Sequence, residues 1–262
     1  MINKINSNAI INAKKRLLKM HYESGVGHIG GNLSVLECLL VLFAEFKENN
    51  EIILSKGHGA GALYIALWHC NFLAEGDLKK FHADDTTLPG HPPTNGKNPV
   101  PFGTGSLGHG LSLAAGTALA FKLKKINNEA QVSRCFCVTS DGEWQEGSTW
   151  EALIFAQHHK LSNLTIFIDH NNLQGFGSTD EVASMSPLWD KFSGFNVTIS
   201  IIDGHSHQEI RAAVHKETKN VHIVCMKTVK GNGITFMENK MEWHYLPLDQ
   251  KKYEAAIKEL IK

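Results

Sequence analysis

Neither charge sign is in excess: the 262 residues carry 26 Lys and Arg against 26 Asp and Glu, and no basic run exceeds a local pair or trio. Nucleic acid and anionic membrane surfaces both call for a concentrated positive face, so neither is expected as a partner. Cysteine is scarce and odd in number. Cys38, Cys70, Cys135, Cys137 and Cys225 lie in apolar stretches without a Cys-x-x-Cys pair, which excludes a disulfide framework and reads as buried reduced thiols. No apolar run approaches the roughly 18 residues a membrane helix needs. The start, "MINKINSNAIINAKK", has no apolar core of a leader peptide, so an unprocessed cytoplasmic chain is expected. Also missing are internal repeats, a His-Glu-x-x-His helix and any Cys-His grouping at zinc spacing. His158-His159 and His205-x-His207 therefore read as scattered surface or core histidines.

Proline is rare outside one place, with five of its seven copies in residues 83–106. A long loop inside a compact domain is usually functional, and this one is read as ordered rather than as a linker. The remaining chain alternates two periodicities. Helical spacing runs over Ser7 to Glu23, and "SGVGHIGG" breaks it; Ser34 to Glu37 matches a capping box opening "VLECLLVLFAEF". Strands are expected at "EIIL", "CFCVTS", "LTIFID", "VTISII" and "HIVCMK". Helices are expected through Trp68, over "LGHGLSLAAGTALAFKL", over 147–160, after a second capping box at Ser206 to Glu209, and from Asp249 to the end, with the polar stretch "KKINNEAQ" separating helix from strand. Strand and helix in alternation imply an α/β fold: a doubly wound, mostly parallel sheet with helices on both faces, in a single domain over 1–262. Ligands in such sheets sit beyond the carboxyl ends of the strands, which puts the loops at 55–61, 140–147, 169–177 and 228–244 on one edge.

Two loops on that edge match each other. "SDGEWQEG" follows one strand, and Asn171-Asn172 follows the next, thirty residues after Asp141. A divalent cation with a diphosphate needs oxygen donors in this placing: a carboxylate from Asp141, an amide oxygen from Asn171 and the main-chain carbonyl of Leu173. Asp-Gly and Asn-Asn are each common turn pairs, and only their combination carries weight. His28, His58 and His91 each sit beside glycine in a loop, where backbone and imidazole can approach a ligand closely. A literal G-x-G-x-x-G at Gly103–Gly108 follows a segment with two prolines, and the strand a dinucleotide site needs after it is replaced by "KKINNEAQ", so an NAD site is not supported.

Asp-Gly followed by an Asn-bearing strand end resembles the thiamine-diphosphate fingerprint, with Ser140 where glycine is usual. "SGVGHIGGNLS", "LSKGHGAGALY", "GHPPT", "GTGSLGHGLSLAAG", "SDGEWQEGSTWEALIFAQHHKLSNL" and "KTVKGNGITFMENKMEWH" resemble, in order, the amino-terminal half of transketolases, most closely the first subunit of bacterial two-chain transketolases. The resemblance implies thiamine diphosphate and Mg2+ (or Ca2+ or Mn2+ in its place) as cofactors, and Asp141, Asn171 and Leu173 as metal ligands. It implies His58, Gly142 and His244 around the diphosphate, and Gly105 and Leu107 against the pyrimidine. His28, His58, His91 and His244 would bind the sugar and shuttle protons, and Glu146 and Glu151 would belong to the acidic network joining two cofactors. His109 stands where glutamine is usual. The pyrimidine-binding domain, with the glutamate that activates the cofactor, would lie on a second chain in an α2β2 assembly. The reaction implied is transfer of a two-carbon glycolaldehyde unit from a ketose to an aldose, as sugars or sugar phosphates. A 2-oxoacid dehydrogenase or decarboxylase subunit shares the Asp-Gly and Asn pattern without needing the histidines, and a non-catalytic homologue is the other alternative. The departures "YLP" after "EWH" and "QGFG" after the Asn pair point to a specialised member.

Overall fold

The computed structural model describes residues 4–94, 99–127 and 133–261; part of the proline-rich loop and of "KKINNEAQ" lies outside them. α1 (Ser7–Ser24) is opened by Asn6, whose side chain accepts the Ala9 N–H, and closed by Gly25 in the left-handed region at φ 66. α2 then begins earlier than its capping pattern indicates. It spans Ile29–Phe46 with His28 at its N-cap, so Gly30 and Gly31 are helical and Ser34 and Glu37 are interior. Every residue from Ile29 to Phe43 is buried, and that burial outweighs a local capping signal. By length and composition these 18 residues could also cross a bilayer, which corrects the count of apolar runs, but most of α2 is covered by protein.

The order continues with β1 (Glu51–Leu54), α3 (Ala60–His69), α4 (Glu75–Leu78), α5 (Gly110–Asn127), β2 (Cys135–Ser140), α6 (Gly147–His158) and β3 (Leu164–His170). A small hairpin follows, β4 (Leu173–Gln174) with β5 (Gly177–Ser178), then α7 (Thr179–Ala183), β6 (Thr198–Asp203), α8 (His207–His215), β7 (His222–Lys227) and α9 (Gln250–Glu259). The first half of "KKINNEAQ" is thus the last turn of α5. Ser206 caps α8 by accepting the Glu209 N–H, but the Glu209 carboxylate accepts from Asp203 rather than Ser206, so only half of the expected box forms.

Five strands form one parallel sheet in the order β1-β2-β3-β7-β6. The central strands are apolar on both faces, as expected where helices cover both sides. Ile52, Phe136, Val138, Phe167 and Val224 pack with α1, α2 and α3, while Ile53, Cys137, Ile166, Ile168 and Cys225 pack with α5 and α6. The chain runs β1, β2, β3 in one direction, jumps to the edge at β6, and returns to insert β7 beside β3. That reversal opens a crevice at the carboxyl ends of β3 and β7.

Candidate functional site

A cavity of about 200 Å³ lies at this crevice, lined among others by Lys56 and His58 after β1, Ser140 to Gly142 after β2, Asn171 and Leu173 after β3, and Lys230 and His244 after β7. All four loops expected at one edge contribute to it. His28 and His91 also line it.

Four histidines separated by up to 216 positions in sequence meet here. The His28 ring centroid lies 5.9 Å from that of His58, 6.1 Å from His91 and 5.0 Å from His244, and His58 and His244 are 5.5 Å apart. The backbone holds them. His28 sits at φ 64, an uncommon conformation for a side-chain-bearing residue, and its N–H donates to the His244 carbonyl at 3.0 Å. The Asn32 amide donates to both the His28 carbonyl at 2.8 Å and the His58 carbonyl at 3.1 Å, tying two loops together. Gly57 allows the β1 loop to meet the 103–108 segment, since a Cβ there would lie 2.7 Å from the Thr104 carbonyl oxygen.

Burial, then the neighbouring His91 and Lys230, lowers His28 to about 4; burial and Lys230 lower His244 to about 3. Burial and Lys56 push His58 well below its ordinary value, and burial lowers His91 as well. These rings are neutral at pH 7. The Lys230 ammonium donates to His244 Nδ1 at 3.1 Å, which leaves the ring proton on Nε2. Burial, followed by Lys56, lowers Lys230 to about 8.

The acidic loop faces the same cavity. Asp141 accepts the Gly142 N–H at 2.8 Å on one oxygen and the Asn172 N–H at 2.6 Å on the other, and Asn171 Oδ1 accepts the Leu173 N–H at 3.1 Å. Burial, then the nearby Asp169, raises Asp141. A buried carboxylate with a carboxylate neighbour is short of positive charge, the setting a divalent cation relieves. Among the described residues no group of three or more His, Cys, Asp or Glu is placed to hold a metal; the expected donor set of one carboxylate, one amide and one carbonyl is of a different kind.

Not every expected residue enters the cavity. Leu107 lines it, and Gly105 lies against His91. Glu146 and Glu151 are exposed at the start of α6 outside it, with Glu146 packed against Gly108, and His109 is exposed. The residues that sequence reasoning missed are Lys56 and Lys230 in the lining and the buried carboxylates behind it. Lys56 is ion-paired with Asp169, and Asp169 also accepts from Ser34 at 2.6 Å and from Thr228. Burial opposes ionisation of Asp169, but Lys56 and these donors hold its carboxyl below the ordinary range. Glu143, fully buried, accepts from the Ser55 hydroxyl and from the Gly108 N–H at 2.9 Å, joining the β1 loop to the start of α5. "SKGH" beside the second glycine-flanked histidine and the Asp two positions before Asn171 were the only available signals.

Comparison with known proteins agrees with this geometry. Residues 7–260 match the family described as transketolase, thiamine diphosphate binding domain. The 6-deoxy-6-sulfo-D-fructose transketolase subunit of Clostridium sp. strain MSTE9 is 35% identical over 251 residues, covering 91% of this chain and 90% of its own length. An apulose-4-phosphate transketolase subunit of Actinobacillus succinogenes is 35% identical, covering 89% of this chain and 87% of its own. Human transketolase is 34% identical over 90% of this chain, which spans only 39% of the human protein. Among solved structures, transketolase from Leishmania mexicana superposes with a TM-score of 0.87 at 22% identity, covering 99% of this chain and 42% of that one. The likeness thus runs through the fold and the sequence over nearly the whole chain, and the chain belongs to the transketolase family as its thiamine diphosphate binding domain.

Proposed function

We propose that this chain binds thiamine diphosphate with Mg2+, and that together with a second subunit it transfers a two-carbon glycolaldehyde unit from a ketose to an aldose. The observation that carries the reading is the junction, in one cavity, of the Asp141, Asn171 and Leu173 oxygen donors with four histidines and Lys230. The cation would be held by the Asp141 carboxylate, the Asn171 amide oxygen and the Leu173 carbonyl, and the diphosphate by that cation with Lys230, His58 and Gly142. Ca2+ or Mn2+ would serve in place of Mg2+. When bound, the cofactor supplies the carbon nucleophile and stores the electron pair released on cleavage of the sugar carbon–carbon bond.

The residues of this chain bind and orient the sugar. His244, with Nδ1 occupied by Lys230, presents Nε2–H as a donor to a sugar oxygen. Neutral His28, His58 and His91 offer one donor and one acceptor each, matching vicinal hydroxyls; the N–H can donate to a developing alkoxide, and the other nitrogen can accept the proton a sugar hydroxyl loses when the carbon–carbon bond breaks. The histidine cluster favours a sugar substrate over a 2-oxoacid, which has no row of hydroxyls to satisfy it. Glu146 and Glu151, exposed at the start of α6, would serve an acidic network completed by the partner rather than this cavity.

Two relatives of nearly the same length are named as transketolase subunits, which supports a pyrimidine-binding domain on a separate chain and an α2β2 assembly; the location proposed for it is the cytoplasm. The rim residue Phe176, 84% exposed, suits burial by such a partner. The test is calorimetric titration of thiamine diphosphate and Mg2+ into this chain mixed with its partner, with Asp141→Ala as control. Tight binding lost in the variant supports the reading, and no binding with the partner present overturns it.

A further inference from the structure

Lys230 is placed by a buried polar relay that lies outside the cavity. Its neighbour Val229 donates its main-chain N–H to His205 Nε2 at 2.9 Å. An imidazole that accepts at Nε2 carries its proton on Nδ1, and Nδ1 faces Glu37 Oε2 at 3.4 Å. Glu37, only 2% exposed in the interior of α2, uses its other oxygen in an ion pair with Lys14 at 2.8 Å. Lys14 in turn donates to the Asn232 side chain, two residues beyond Lys230. Burial opposes the Glu37 charge, but His205 and Lys14 together hold its carboxyl below the ordinary range. Among the described residues, His205 Nδ1 and Glu37 Oε2 are buried without another hydrogen-bond partner, so each has only the other to face.

The relay therefore grips the segment after β7 at two points, Val229 and Asn232, on either side of Lys230. A third tether, the Gly231 N–H donating to the Gly30 carbonyl at 2.9 Å, ties the same segment to the first turn of α2 beside His28. Tethers on both sides fix where the Lys230 side chain leaves the backbone, and its ammonium meets His244 Nδ1 in the cavity proposed above to take the diphosphate. We propose that His205, oriented by Glu37 and Lys14, is a positioning residue for Lys230 and through it for the cofactor diphosphate. His205 does not line the cavity, and its influence passes through the Val229 N–H and, by way of Glu37 and Lys14, through Asn232. The inference rests on the reading above that Lys230 serves thiamine diphosphate.

The test is a double-mutant cycle on the chain mixed with its partner, with the affinity for thiamine diphosphate and Mg2+ read by calorimetry. His205→Leu should weaken binding about 10-fold, the lower end of what second-layer residues cost at such sites. His205→Gln, whose amide can accept at one atom and donate at the other, should restore most of it. Lys230→Met alone should weaken binding, and adding His205→Leu to it should cost little more, because the relay then has nothing left to place. If His205→Leu does not fold, the same cycle run with Glu37→Gln leaves the ring in place and loosens its hold together with the Lys14 pair, both arms of the same relay. Losses that add independently, or a His205→Leu chain that binds as tightly as the original, overturn the positioning role while leaving the cofactor reading intact. Failure of the unmodified chain to bind at all overturns both.

Discussion

The Lys56 ammonium, in the wall of the cavity, and the Asp169 carboxylate behind it form an ion pair, at 1% and 0% side-chain exposure. Lys56 also donates to the Gly31 carbonyl at 3.2 Å, and Asp169 also accepts from Ser34 and Thr228. One pair thus joins β1, β3, α2 and the segment after β7. Removing one partner leaves an uncompensated buried charge, so Lys56→Met should destabilise the chain by about 3–5 kcal/mol in urea unfolding. Lys56→Met combined with Asp169→Asn should recover part of that loss. A single variant within about 0.5 kcal/mol of the original would show that the pair contributes nothing net.

His28→Asn separates backbone from chemistry. Asparagine tolerates the left-handed φ of 64 that position 28 requires, so the N-cap geometry of α2 survives while the imidazole is lost. With the partner present, kcat/KM for the ketose should fall about 10²- to 10⁴-fold, the range for losing a positioned proton-transfer group. Calorimetric affinity for the cofactor should stay within a few-fold. An equal loss in both would place His28 at the cofactor instead.

Glu143→Ala removes the acceptor of the Gly108 N–H and of the Ser55 hydroxyl in a fully buried place. Each group left without a partner costs about 1–3 kcal/mol, so the unfolding midpoint in urea should fall clearly. Glu143→Gln keeps one carbonyl oxygen and should lose less. Equal losses would show that packing rather than acceptance is at stake.

Acid should weaken the unliganded fold. His21, His28 and His222 are lowered to about 4 and His244 to about 3, in each case chiefly by burial, against about 6.5 in the unfolded chain. Between these values the unfolded state binds more protons than the folded state, so stability is full above about pH 6.5 and falls as pH drops toward 4. Thermal midpoints measured from pH 7.5 to 4.5 check this. A flat profile would show that the rings protonate in place.

Chelation should separate the cation from the diphosphate. EDTA should weaken thiamine diphosphate binding at least about 10-fold, and added Mg2+, Mn2+ or Ca2+ should restore it, since all three accept oxygen donors. Unchanged affinity in EDTA would remove the cation from the site.

The strand periodicity, the two strand-end loops and the glycine-flanked histidines were legible because each is a local pattern. "CFCVTS" and "HIVCMK" became β2 and β7 with the expected bounds, since a six-residue apolar run between turn signals is too short for a helix and suits a doubly covered strand. Ser34 and Glu37 misled for the same reason. A capping box is judged over four residues, whereas the start of α2 is decided by contacts with β3, α1 and the β6–α8 turn.

By itself, the sequence determined the alternation of elements, the single edge on which the loops gather and the family, because these depend on near neighbours and on residue type. Only the tertiary structure decided that Lys56 lies against Asp169, that His205 reaches Val229 and that Glu146 stays outside the cavity. Those relations depend on strand order. The insertion of β7 beside β3, after the chain has passed to the sheet edge at β6, brings Thr228 and Lys230 over Asp169 and sets His205 under the same segment. No local pattern records that step, since the free energy that fixes it is burial shared across the whole sheet.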